Sequence, residues 1–299
     1  MEEYGPRPFG YGDLEEKIKK IKGAKGPVKA FVMGKSVLGR SIYALGMGQL
    51  RQPALMVGAT HGLESITPAL LMMFAEELME ALGNRTQICG VDPRRVQESR
   101  GLIIVPMLNP DGVEIAQHGA RGCLHLAKRI YDICDGHFER WQANARGVDL
   151  NHNFDAGWEK LRQMEISYGI LKPAPTRFGG YRPMSEPEVK AIAHIISSFD
   201  IKTLYSFHSQ GEEIYYHYGP HTPIQSKLVA QILASSSGYT LSEPEGIASH
   251  GGLKDYFIQK YRRPGFTIEV GRGKNPLPPS DGPAIYEKIR EMMTLAMIL

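Results

Sequence analysis

The sequence predicts an α/β domain on a central, parallel or mixed sheet, and three observations predict it. Short apolar runs alternate along the chain with longer segments of helical period. Two of the runs, PALMVGAT (53–60) and GLIIVPML (101–108), are apolar nearly throughout, as strands covered on both faces must be. Three predicted strands lead straight into metal-competent side chains, and open α/β sheets bind ligands beyond the carboxyl ends of their strands.

The elements follow in order. Leu14, Ile18 and Ile21 lie at helical spacing in Asp13–Ile21 and predict an N-terminal helical lead-in within residues 1–25. Val28–Met33 is a strand, and the turn at Leu38-Gly39-Arg40 sends the chain back into a hairpin partner, Ser41–Met47. The strand Pro53–Thr60 precedes a long helix, Ser65–Leu82, expected to stop at Gly83. After the strand Gly101–Leu108, Asn109-Pro110-Asp111-Gly112 reads as a turn. Helices are predicted over Pro187–Phe199, Thr222–Ser236, Gly252–Lys260 and Gly282–Leu299, with strands over Lys202–Phe207 and Gly265–Val270. No repeat and no linker-like stretch divides the chain, so residues 1–299 are expected to form one domain.

Composition excludes several classes. With 42% hydrophobic and 22% charged residues, the chain is neither disordered nor fibrous. A net charge of +3 gives no electrostatic case for nucleic acid or membrane binding. No apolar run approaches the ~18–20 residues of a membrane span, and the first residues lack the apolar core of a secretory signal. Cys89, Cys123 and Cys134 form no disulfide framework and read as buried thiols in a reducing compartment, so a cytoplasmic protein is expected. Gly34-Lys35-Ser36 ends like a phosphate loop, but Lys29 stands where the loop needs its first glycine. The 13 methionines, with the pairs Met72-Met73 and Met292-Met293, read as core filler.

The chemistry concentrates at the strand ends. His61 and Glu64 lie three residues apart on a strand-to-helix turn, where Gly62 is expected to permit a sharp bend. His208 ends a later strand, and a two-histidine, one-carboxylate set suits zinc with one position left open. Glu269 interrupts an apolar strand, which is costly unless the carboxylate is functional or paired, for example with Arg272. A general base beside zinc-activated water is one such function. Residues 146–154 (RGVDLNHNF) crowd hydrogen-bonding groups around a small apolar centre, as carboxylate or amide recognition requires.

These cassettes together resemble the zinc carboxypeptidase family. The resemblance runs in order through His61-x-x-Glu64, Asn109-Pro110-Asp111-Gly112, Gly147 to Phe154, His208 and Glu269, over roughly residues 30–299. It implies a mixed, mainly parallel eight-stranded sheet with helices on both faces. It also implies one zinc ion held by His61, Glu64 and His208, with Glu269 as general base. Three departures matter. His152 stands where typical members carry a carboxylate-gripping arginine, and a neutral imidazole cannot replace a guanidinium fork. Ile247 and Lys254 fall at the mobile-tyrosine and pocket-base positions of the family's specificity loop. The arginine that polarises the scissile carbonyl has no equivalent at its usual place, so Arg146 is the expected electrophile and Arg140 its reserve.

Residues 144–158 (NARGVDLNHNFDAGW) and 207–216 (FHSQGEEIYY) are similar to one bacterial branch, the γ-D-glutamyl-diaminopimelate peptidases. That similarity implies hydrolysis of the γ-D-glutamyl–diaminopimelate amide in a small cell-wall peptide. Asn151, His152 and Lys254 would position the substrate, and the chain length leaves no room for a wall-binding module. The alternatives are a zinc amidase or N-deacylase, an ordinary metallocarboxypeptidase on small substrates, and a catalytically silent muropeptide-binding protein. The sequence does not set the oligomeric state.

Overall fold

The computed structural model describes residues 4, 7–24 and 26–299. Helix α1 (Tyr11–Gly23) leads into the hairpin β1 (Val28–Lys35) and β2 (Ser41–Met47), then β3 (Ala54–Val57) and α2 (Ile66–Asn84). Next come α3 (Pro93–Ser99), β4 (Leu102–Val105), α4 (Pro110–His118), α5 (Ala127–Cys134), α6 (Trp158–Ser167) and α7 (Pro187–Ser198). The chain closes with β5 (Thr203–His208), β6 (Glu213–Tyr215), α8 (Ser226–Ser237), β7 (Thr240–Leu241), α9 (Leu253–Tyr261), β8 (Gly265–Glu269) and α10 (Gly282–Ala296). All eight strands form one mixed sheet in the order β1-β2-β4-β3-β5-β8-β6-β7. Its centre, β4-β3-β5-β8, is parallel; β2 and β6 flank it antiparallel, β1 pairs antiparallel with β2, and β7 pairs parallel with β6.

Side-chain alternation along the strands divides the core into two layers. In β3, Ala54 and Met56 face a layer shared with α1, α2, α8 and α10, whereas Leu55 and Val57 face one shared with α7 and α9. The four central strands are thus covered on both faces, as the apolar runs of β3 and β4 predicted for those two. Met72, Met73, Met292 and Met293 are all buried.

Several expectations need correction. Helix α2 does not stop at Gly83, because Arg85 takes the left-handed cap position instead (φ 57°). Asn109-Pro110-Asp111-Gly112 is the start of helix α4 rather than a free turn. The Asn109 side chain accepts from the Gly112 N–H at 2.9 Å, and Pro110 occupies the first turn, where its missing N–H costs nothing. The buried Asp111 then accepts from Ser36 Oγ, the Leu38 N–H and Arg40 Nη1 at 2.7–2.8 Å, so this helix start also holds the β1–β2 turn. Cys123 and Cys134 are buried, but Cys89 is exposed after α2 on a left-handed turn (φ 45°).

Glu188, in the first turn of α7, is fully buried and accepts from the Val37 N–H (3.1 Å) and Asn144 Nδ2 (3.2 Å). Burial, with Asp111 nearby, pushes its carboxyl up to about 7. An acid raised on folding contributes stability that is complete below its unfolded value and is lost as pH rises through the folded one. The protein should therefore lose stability between about pH 4.5 and about pH 7 through this group. E188Q should remove that part of the slope, as measured by chemical denaturation across the same window.

Candidate metal centre and active site

His61 and Glu64 lie on the connection from β3 into α2, and His208 is the last residue of β5, the strand hydrogen-bonded to β3. Pairing of β3 with β5 therefore brings residue 208 beside residues 61 and 64. One ligand atom from each of the three lies within 4.8 Å of the others. His61 Nδ1 is 2.9 Å from Glu64 Oε1, His208 Nδ1 is 3.1 Å from Glu64 Oε2, and the two Nδ1 atoms are 3.3 Å apart.

Gly62 is required here by close approach rather than by a bend. A Cβ on it would lie 2.3 Å from the Gly112 carbonyl oxygen, so the start of α4 fixes the His61 turn. The Gly62 N–H donates to the Gln142 carbonyl at 2.9 Å, a second tie to the same region.

Each imidazole is oriented from behind. His61 Nε2 is 3.2 Å from Asp149 Oδ1, and His208 Nε2 is 3.1 Å from Ser206 Oγ. An Nε2–H donated to these oxygens leaves both Nδ1 lone pairs facing the cluster. Asp149 is buried and also accepts from the Asn151 N–H (3.1 Å) and the Arg177 N–H (2.9 Å). Against the cost of burial, the His61 and His152 imidazoles hold its carboxyl far below the usual carboxylate range.

The three residues fit a divalent cation by their own chemistry. Glu64 is 3% exposed, and its Oε2 has no hydrogen-bond donor. Burial opposes a charged His61, yet the Glu64 and Asp149 carboxylates overcome it and raise that imidazole well above its ordinary value. The cluster thus demands positive charge, and its N, O and N donors are those zinc takes.

Glu269 ends β8 in register with His208 across the parallel pair β5–β8. Its carboxylate makes no hydrogen bond or ion pair with any described residue, because Arg272 pairs with Glu212 instead. Burial, then the Glu64 and Glu213 carboxylates, push it well above the usual range against the opposing His61. Such a group is suited to take up a proton.

A cleft of about 780 Å3 opens over these residues, lined by His61, His208, Glu269, Asn151, His152 and Lys254. Arg146 does not reach it. Its guanidinium lies 3.4 Å from Glu186 and is not part of the cleft lining, so the structure does not bring the expected electrophile to the cluster. Arg140, the reserve, does line the cleft, as does Arg177, which no sequence signal marked. His152 is buried at the cleft wall, and its Nδ1 faces Glu165 Oε1 and the Arg177 carbonyl, each at 3.1 Å. Two acceptors at one nitrogen place the proton there, so half of the imidazole supports the loop. Asn151 Oδ1 accepts from the Leu253 N–H (3.0 Å), which leaves the amide Nδ2 as its donor. Lys254 is 4% exposed, pairs with Asp255 Oδ1 at 2.5 Å and donates to the His217 carbonyl at 2.8 Å.

Residues 14–292 match the zinc carboxypeptidase family (peptidase M14). The chain belongs to the zinc carboxypeptidase family. Like its other members it is a metallopeptidase, with one zinc ion as cofactor. It is 33% identical over 287 residues to γ-D-glutamyl-L-diamino acid endopeptidase 1 of Lysinibacillus sphaericus, covering 95% of this chain and 71% of that protein. It is also 33% identical over 270 residues to the uncharacterized protein YqgT of Bacillus subtilis (strain 168), covering 89% and 70%. The crystal structure of carboxypeptidase A from Helicoverpa armigera shares its fold, with a TM-score of 0.72 at 20% identity, over 97% of this chain and 73% of that one.

Within this zinc carboxypeptidase, Asp149 was visible in sequence only as one letter of the GVDLN cassette. D149N should leave the fold intact and weaken zinc binding by about 10- to 100-fold, the usual cost of losing a ligand's orienting partner. Competitive zinc titration against a chelating dye checks this.

Proposed function

We propose that the enzyme hydrolyses the amide between the γ-carboxyl of D-glutamate and diaminopimelate in cell-wall peptides. The observation that carries this reading is the Lys254–Asp255 pair in the same cleft as the metal-competent cluster. Diaminopimelate ends its side chain in both an ammonium and a carboxylate. A buried cation beside a buried anion complements both at once, the ammonium against Asp255 and the carboxylate against Lys254. Asp255 Oδ1 lacks a hydrogen bond of proper geometry despite its ion pair, so it has capacity for a second donor. The 33% identical relative named for cleaving γ-D-glutamyl-L-diamino acid bonds supports the same substrate class.

His61, Glu64 and His208 would hold the zinc ion, which supplies a Lewis acid that acidifies water and polarises the scissile carbonyl. Glu269 takes the proton from the attacking water as the new C–O bond forms. It then delivers that proton to the leaving nitrogen as the C–N bond breaks. Arg140 takes the electrophilic role first expected of Arg146, facing the oxygen that gains charge. Asn151 contributes its remaining amide donor to substrate binding. The cysteines Cys89, Cys123 and Cys134 are unpaired, which accords with a cytoplasmic enzyme acting on soluble peptides.

Incubation with L-Ala-γ-D-Glu-meso-diaminopimelate should release diaminopimelate by mass analysis, and a chelator should stop the release. Cleavage of small acyl amino acids with none of this tripeptide would favour the deacylase alternative instead. E269Q should lose about a hundred- to ten-thousand-fold in turnover while retaining its zinc by metal analysis. K254M should lower kcat/KM on the diaminopimelate peptide by about 10- to 100-fold and leave the slower L-lysine analogue little changed.

A further inference from the structure

The loop at residues 175–179 is held by several backbone hydrogen bonds. The Pro175 carbonyl accepts from the N–H groups of Gln142 and Ala143, each at 2.9 Å, and the Phe178 carbonyl accepts from the Asp149 N–H at 2.7 Å. The Gly179 N–H donates to Glu165 Oε1 at 2.9 Å. Between them, Arg177 donates its N–H to Asp149 and accepts at its carbonyl from His152 Nδ1. It is thereby locked in the left-handed region at φ 65°, which a long side chain rarely adopts. Glu165, which anchors both His152 and Gly179, is itself fully buried and fixed by Arg162 at 2.8 Å.

The backbone of Arg177 is fixed on both sides, but its guanidinium is not. It lines the cleft and makes no hydrogen bond or ion pair with any described residue. Its backbone lies two hydrogen bonds from His61, through the single carboxylate of Asp149. Lys254, buried in the same cleft beside Asp255, is the cation set against the side-chain carboxylate above, so the main-chain carboxylate needs a separate one. His152 spends its Nδ1 on holding Arg177 rather than on reaching a ligand.

We infer that Arg177 docks the main-chain carboxylate of the leaving amino acid, and that Asp149 and His152 set its position relative to the metal-competent cluster. That carboxylate is one carbon removed from the scissile nitrogen, so its partner must be anchored close to the reacting centre. A guanidinium on a locked backbone presents a planar pair of donors at little further entropic cost. Asn151 Nδ2, on the same cleft wall, supplies a neutral donor beside it. The inference rests on the peptidase reading above for the identity of the leaving residue.

The test separates binding from turnover. Zinc-loaded E269Q is titrated calorimetrically with L-Ala-γ-D-Glu-meso-diaminopimelate and with the same peptide amidated at the main-chain carboxyl next to the scissile bond. The acid should bind about 10- to 100-fold more tightly than the amide, the range for a charge-assisted pair. Adding R177M should remove that preference and leave amide binding unchanged, and R177K should restore part of it. An unchanged preference in R177M overturns the inference, as does an equal loss for acid and amide. So does failure of the acid to bind. Wild-type turnover of the same acid peptide is measured alongside. Binding with the expected preference but no turnover would sink the hydrolase reading and keep the Arg177 assignment.

Discussion

Glu64, 3% exposed between two imidazoles at the carboxyl ends of β3 and β5, sets the central constraint on this molecule. An unpaired carboxylate at that depth would be costly, so positive charge must be supplied there. The surrounding residues are arranged to supply it as a bound cation rather than as a fixed ion pair. Among the described residues no Lys or Arg reaches Glu64, and its oxygens face only His61 and His208, whose far nitrogens are occupied by Asp149 and Ser206.

The same constraint organises the scaffold around the cleft. The His61 turn packs so closely on the start of α4 that position 62 admits only glycine. Asn109 caps that helix, and its amide also donates to the carbonyls of Thr60, Gln142 and Ala143 at 3.1–3.2 Å. One side chain therefore ties the ligand turn to the loop that leads into residues 144–154. Asp149 continues the chain of support, joining the rear of His61 to the backbone of Arg177. Positions far apart in sequence share one hydrogen-bonded frame, so groups meant for metal and for substrate keep fixed relative positions.

The cleft carries both signs of charge. Arg140, Arg177, Lys254 and Lys274 line it together with Asp149, Asp255, Glu243 and Glu269. A site built for a simple terminal carboxylate needs the cations alone. Mixed charge with a buried Lys–Asp pair is the complement of a ligand that is itself zwitterionic, which is the basis of the proposed substrate.

Much of this was legible in the chain because the relevant signals are local. Apolar runs marked β3, β4, β5 and β8, and the side chains where they ended marked the ligand set, since strand ends in an open sheet are where ligands gather. The short strands β6 and β7 and the helices α3 to α6 left no such pattern, being brief or mixed in period. Arg146 and Arg177 show what local pattern cannot carry. The first sits in the most recognisable cassette yet turns toward Glu186, while the second lies in an unremarkable loop yet lines the cleft. By itself, then, the sequence determined the α/β class and marked His61, Glu64, His208 and Glu269 as strand-end candidates, which the structure gathers in one cleft, because periodicity and side-chain chemistry are written along the chain. Only the tertiary structure decided which cations line the cleft, because that depends on hydrogen bonds between segments more than 20 residues apart, such as Asp149 with Arg177.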